Sequence, residues 1–213
     1  MSLADALARL PLFPLPDATL FPGALMPLHV FEPRYRQMIR DVLASHMALG
    51  VARILPGPAV DSEGHPPIAR IIGAGTIVEH EALADGRYNI LLRGEARVSL
   101  VELPFVSPYR AARAEILDDG DDLPGDAELS ALRAVARELF RVIRSRAPRV
   151  SLELPDELPP ERAAALLAPV LVASPDARQA LLEERSARRR VSDLTTVLAS
   201  QLRALSGRRA PQN

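Results

Sequence analysis

Apolar residues along this chain change their spacing once. Up to about residue 117 they alternate with polar or small residues in short runs, as half-buried strands require; beyond it they recur three and four residues apart, as amphipathic helices require. The stretch Leu20 to Tyr35 organises the first half. Phe21-Pro22-Gly23 has the chemistry of a tight turn, with proline fixing one φ and glycine free to adopt angles closed to other residues. Leu25 to Phe31 then reads as a strand with Met26, Leu28 and Val30 on one face and Leu25, Pro27, His29 and Phe31 on the other. Pro27 lacks a ladder donor, which predicts an edge or bulged strand. Pro33 suits a first helical position, and Tyr35, Met38, Ile39, Val42 and Leu43 continue as one helical face.

The remaining first-half elements follow from the same patterns. Residues 1 to 8 read as a frayed leader, and Leu10 to Leu15, interrupted by prolines, as an edge-type first strand. A short strand Val51 to Leu55 precedes a Pro- and Gly-rich loop from Pro56 to Pro67. Ile68 to Leu117 reads almost wholly as strands. Asp85-Gly86 predicts a hairpin between Ile77 to Leu83 and Tyr88 to Leu92, and Gly94 breaks the second of these. Arg97 to Leu103 and Tyr109 to Leu117 complete the set. Gly73 and Gly75 on one face predict a bulge or a close backbone approach. Short successive strands favour a barrel or sandwich over a doubly wound sheet.

Asp118 to Asp126 carries no apolar periodicity and reads as a linker. Leu129, Leu132, Val135, Ala136, Leu139, Val142 and Ile143 then mark a helix of about five turns. A proline-rich loop through Pro159-Pro160 leads to Leu166, Leu167, Val170 and Leu171, where Pro169 kinks or ends the helix. Ser174-Pro175 caps and starts another through Gln179, Leu181 and Leu182. Val191, Leu194, Val197, Leu198, Leu202 and Leu205 form the last. The predicted organisation is a β-barrel part with one helix over residues 1–118, an acidic linker over 119–126, a helical bundle over 127–206 and a tail over 207–213.

Composition narrows the chemistry. The chain of 213 residues, 48% hydrophobic and 25% charged with a formal net charge of -1, fits a globular protein with no global attraction to nucleic acid or acidic lipid. No uncharged apolar run reaches the roughly 18 residues of a membrane span, and the N-terminus lacks the layout of a signal peptide, so the expected compartment is the cytoplasm. The absence of cysteine removes disulfides, thiolate catalysis and thiolate metal ligation. All 26 Lys and Arg residues are arginine, which removes a Walker lysine, a Schiff-base lysine and a Ser-Lys dyad. Four histidines, His29, His46, His65 and His80, show no metal-binding spacing, and His80 points away from Glu79 and Glu81 on a strand. Gly73-x-Gly75 lacks the rest of a dinucleotide fingerprint. No catalytic motif, metal or cofactor is expected.

The run LPLFPLPDATLFPGALMPLHVFEPRY from Leu10 to Tyr35, GTIVE from Gly75 to Glu79, and DGRYNILLRGEARVSL from Asp85 to Leu100 resemble the N-terminal substrate-binding domain of Lon proteases. RQALLE from Arg178 to Glu183, with RRRV from Arg188 to Val191, resembles that family's segment leading into its last helix, so the resemblance spans roughly residues 10 to 205. It implies an α+β fold, a PUA-like β pseudo-barrel followed by an α-helical bundle. It also implies a stand-alone, non-enzymatic module that binds unfolded or damaged polypeptides, as an adaptor in protein quality control beside a protease or chaperone. Apolar residues in excess of one core are the expected contacts: Phe13, Phe21, Met26, Phe31 and Tyr35, with Arg34 and Arg97 at the rim of a groove between barrel and bundle. The alternative is an RNA-binding, PUA-like protein using Arg133, Arg137, Arg141 and Arg144, which share one side of the long helix. The near-neutral charge and 4% aromatic content weigh against nucleic acid.

Overall fold

Turn chemistry and strand alternation in the first half produce a closed barrel, and helical periodicity in the second half produces a bundle. The computed structural model describes all residues except 1, 58–59, 107, 119, 121, 147–158 and 208–213. The chain divides into two units, Met1–Leu117 and Asp118–Asn213. The tail expected beyond residue 207, and most of the proline-rich loop expected before Pro159, lie outside the described residues.

The first unit contains α1 (Leu3–Ala6), followed by a short 3-10 turn. It continues with β1 (Leu10–Leu15), β2 (Leu25–Val30), α2 (Pro33–Leu43), β3 (Ala48–Arg53), β4 (Ile71–Ala82), β5 (Tyr88–Glu102) and β6 (Ala111–Ile116). The sheet order is β2-β5-β4-β3-β1-β6, and a further β5–β6 pairing closes five strands into a barrel, with β2 added at the edge. Only β1 and β3 pair in parallel. The edge position predicted from Pro27 is therefore observed, and it leaves that residue's missing N–H harmless.

Three local expectations are corrected. The leader is not frayed: Leu3 and Ala6 are buried and join the barrel core, and the Ser2 amide donates to the Asp5 carboxylate. β1 is not an edge strand. It pairs with β6 at Leu10 and Pro11 and with β3 from Leu12 to Leu15, so each side is laddered over only part of its length and the prolines are tolerated. Gly94 does not end a strand. β5 runs unbroken for 15 residues, and the shift from Gly75↔Gly94 to Ala74↔Ala96 leaves Glu95 as a bulge. The glycines serve close approach: a Cβ at Gly73 would fall on the Leu20 carbonyl, and one at Gly94 on the Phe21 carbonyl. The turn after Leu20 is thereby pinned on the barrel wall, with Gly23 N donating to Gly94 O at 2.8 Å.

α2 buries Tyr35, Met38, Ile39 and Val42 against Phe13, Leu20, Leu49, Val51, Ile90 and Leu92. Each fully buried apolar side chain here contributes about 1.5–3 kcal/mol. A second cluster, including Leu10, Leu12, Ile72 and Val98, fills the barrel.

The second unit comprises α3 (Asp126–Arg146), α4 (Ala163–Leu171), α5 (Pro175–Glu183) and α6 (Ala187–Gly207). Leu129, Leu132, Ala136 and Leu139 of α3 and Val191, Leu194 and Leu198 of α6 are buried. Pro169 lies inside α4, which ends two residues later. Part of the acidic stretch is fastened to α6. Pro124 is buried, the Arg188 amide donates to Asp122 O at 3.0 Å, and Ser186 Oγ donates to Asp122 Oδ2 at 2.8 Å. Among the described residues no helix is long and apolar enough to cross a membrane.

Candidate functional site

A cleft of about 180 Å³ opens beside the start of α2, entirely within the first unit. The end of β1 brings Pro14, Leu15 and Pro16 to it, and the helix start supplies Glu32, Arg34 and Tyr35. The loop ahead of β6 contributes Phe105, Pro108, Tyr109 and Arg110, and the loop after β3 contributes His65 and Pro66. The size is below the roughly 300 Å³ at which small-molecule sites begin, and suits a side chain or two better than a cofactor.

Its charged groups are held by neighbours. Arg34 stacks over the Tyr35 ring at 4.5 Å from its centroid and pairs with Glu32 at 2.9 Å. Arg110 grips the Glu102 carboxylate through Nε at 2.9 Å and Nη2 at 2.7 Å, and its Nη1 donates to Pro66 O at 2.8 Å. The Tyr109 hydroxyl donates to Asp41 Oδ2 at 2.8 Å. Burial, reinforced by that bond, pushes the Tyr109 phenol up to about 12. Burial likewise raises Tyr35, partly opposed by Arg34. The Tyr35 ring rests on Phe13 with centroids 4.5 Å apart, and His65 meets Phe105 edge-on at 4.5 Å. Two other hollows in this unit, one beside Ile68 and Leu100 and one beside Pro27 and Ile90, carry no Phe, Tyr or Trp in their walls.

The expected contact residues separate sharply. Phe13, Phe21 and Arg97 are interior, with Arg97 only 4% exposed, because strand alternation and the pinned turn direct them inward, and none of the three lines the cleft. Tyr35 is also buried, yet it forms part of the cleft wall beneath Arg34, which is exposed. Met26 is half-buried over the α2 core. Phe31, at 61% exposure, lies just past the end of β2 and its ring stacks on His29, away from the cleft lining. Of the seven, Arg34 and Tyr35 line the cleft. Phe105 and Tyr109 escaped the sequence reading because they sit in a loop without periodicity; a proline-flanked aromatic pair was the available signal.

Of the α3 arginines, Arg133 is half-buried and Arg137, Arg141 and Arg144 are exposed; Arg141 is paired with Glu138 at 2.6 Å, which lowers the Glu138 carboxyl and raises Arg141. Asp61, Glu63 and His65 come close enough to resemble a metal cluster. The Asp61 carboxylate is committed to closing that turn, accepting from the Glu63 and His65 amides at 3.0 and 2.7 Å, and the His65 amide bond holds Asp61 below the usual carboxylate range.

Comparison with known proteins places these features in context. The profile of the ATP-dependent protease La (LON) substrate-binding domain matches residues 9–200. The Lon protease of Roseiflexus castenholzii is 30% identical over 95% of this chain, and Lon protease 2 of Sorangium cellulosum is 27% identical over 92%. In both cases the match covers 25% of the relative, so the chain spans about a quarter of their length. Among solved structures, the Lon N-terminal domain protein from Xanthomonas campestris superposes with a TM-score of 0.64 and 26% identity, covering 88% of this chain and 97% of that one. The N-terminal domain of Mycobacterium avium complex Lon protease superposes with a TM-score of 0.63 at 15% identity, a likeness of fold, covering 90% of this chain and 98% of that one.

Proposed function

This chain belongs to the LON substrate-binding domain family, and from that premise we propose that it is a non-enzymatic polypeptide-binding module whose contact surface is the cleft at the start of α2. One observation carries the reading: aromatic and proline side chains from four separate segments converge on an open hollow in the first unit. Exposed apolar concavities of this kind suit side chains that unfolded polypeptides expose and folded ones hide. The chain itself contains no lysine for a Walker loop or a Ser-Lys dyad, so binding rather than bond cleavage is the role its residues support. An adaptor role in quality control, working in the cytoplasm beside a protease or chaperone, is the corresponding cellular proposal.

Fluorescence anisotropy with a labelled, permanently unfolded polypeptide tests this directly. Saturable binding in the micromolar range, at about -8 kcal/mol, is expected. No saturation up to high micromolar concentration overturns the reading.

A further inference from the structure

The cleft's wall chemistry specifies more than an apolar occupant. We propose that it selects proline-containing segments in the polyproline II conformation; this rests on the polypeptide-binding reading and deepens it. The first ground is charge. Arg34 is paired with Glu32, Arg110 with Glu102 and His65 with Asp61. A charged ligand side chain entering the cleft would lose hydration and meet no unspent opposite charge, so a neutral occupant is favoured.

The second ground is hydrogen bonding. Pro14, Pro16, Pro66 and Pro108 remove backbone donors from the wall. Several of its carbonyls are already engaged: Leu15 O accepts from the Ile54 amide, Glu32 O from the Arg36 amide, His65 O from the Asp61 amide, Arg110 O from the Leu12 amide, and Pro66 O from the Arg110 side chain. An added strand needs alternating donors and acceptors, and the prolines and engaged carbonyls interrupt that alternation along the described wall. A proline segment needs no backbone acceptor at its own ring-bearing nitrogens. Its carbonyl meets one donor at the rim, Arg34 Nη1, because the Glu32 contact uses Nε and Nη2.

The third ground is shape. The rings of Phe105 and Tyr109 supply apolar surface above a floor made by Tyr35 under Arg34, and aromatic-lined grooves are the surfaces on which pyrrolidine rings dock. A polyproline II ligand is also stiff before binding, so little conformational freedom is lost in a hollow too small to bury a long segment.

The test uses the full chain and three neutral fluorescein-labelled peptides of equal length: one proline-rich, one with every proline replaced by alanine, and one with the prolines replaced by alternating alanine and phenylalanine. A reduced, carboxymethylated protein serves as the general unfolded probe. The proline-rich peptide is expected to bind about tenfold tighter than the alanine peptide. Phe105→Ala, at a ring 38% exposed and so tolerant of truncation, is expected to remove most of that preference while leaving the circular dichroism spectrum and unfolding midpoint unchanged. Tyr109→Ala provides the second variant. Equal affinity for the proline and alanine peptides, or tightest binding of the phenylalanine peptide, overturns the proline inference and leaves polypeptide binding standing. Failure of all three peptides and of the carboxymethylated protein overturns both.

Discussion

Gly73 and Gly94 lie beneath the backbone of Leu20 and Phe21, where a methyl group would collide with carbonyl atoms that cannot rotate aside. Gly94→Ala is therefore expected to destabilise the first unit by about 1–3 kcal/mol, read from urea unfolding followed by tyrosine fluorescence. The close approach predicted at Gly73 was legible, because two glycines on one strand face carry little other meaning. Its partner was not, since nothing in the sequence says which backbone fills the space. Tyr109 carries a second prediction at this scale. Its folded-state phenol titrates at about 12 against an ordinary value of 10.0, and Tyr35 is shifted in the same direction. The folded state holds these protons more tightly, so their stabilisation is complete below pH 10 and is lost as pH rises toward 12. Stability measured across that interval is expected to fall less steeply for Tyr109→Phe than for the parent chain.

Among the elements, helices were the most legible. The period of α2, the Ser174-Pro175 start of α5 and the stripe on α3 are local patterns, and all three appear as expected. Ser174 Oγ accepts from the Ala177 amide at 3.2 Å, so Ser174→Ala is expected to cost about 1 kcal/mol and Ser174→Asp to restore it, measured by chemical denaturation. Strands were less legible where pairing overrides local signals. Gly94 reads locally as a breaker, yet β4 runs alongside, pairs it with Gly75 and takes up the next residue, Glu95, as a bulge. Pro11 and Pro14 read as an edge, yet β1 changes neighbour between them. The short α1 carries too few residues for a period, and its burial comes entirely from the barrel it packs on.

At the scale of the molecule, the change in apolar period near residue 117 and the quoted family motifs revealed the α+β architecture, which matches solved Lon N-terminal domains. The cleft was only partly legible. Arg34 and Tyr35 stand out in sequence, whereas Phe105, Tyr109 and the prolines around them reach the same hollow from a segment about 70 residues further along the chain, through a topology that no local pattern reports. The claim that this hollow is the polypeptide-binding surface is tested most directly by amide chemical-shift mapping of the isotope-labelled chain during titration with an unfolded polypeptide. Saturable shifts concentrated at Leu15, Tyr35, Tyr109 and Arg110 are the predicted result. Saturable shifts confined to the outer face of β2 or to α3, with those four amides unmoved, would contradict it.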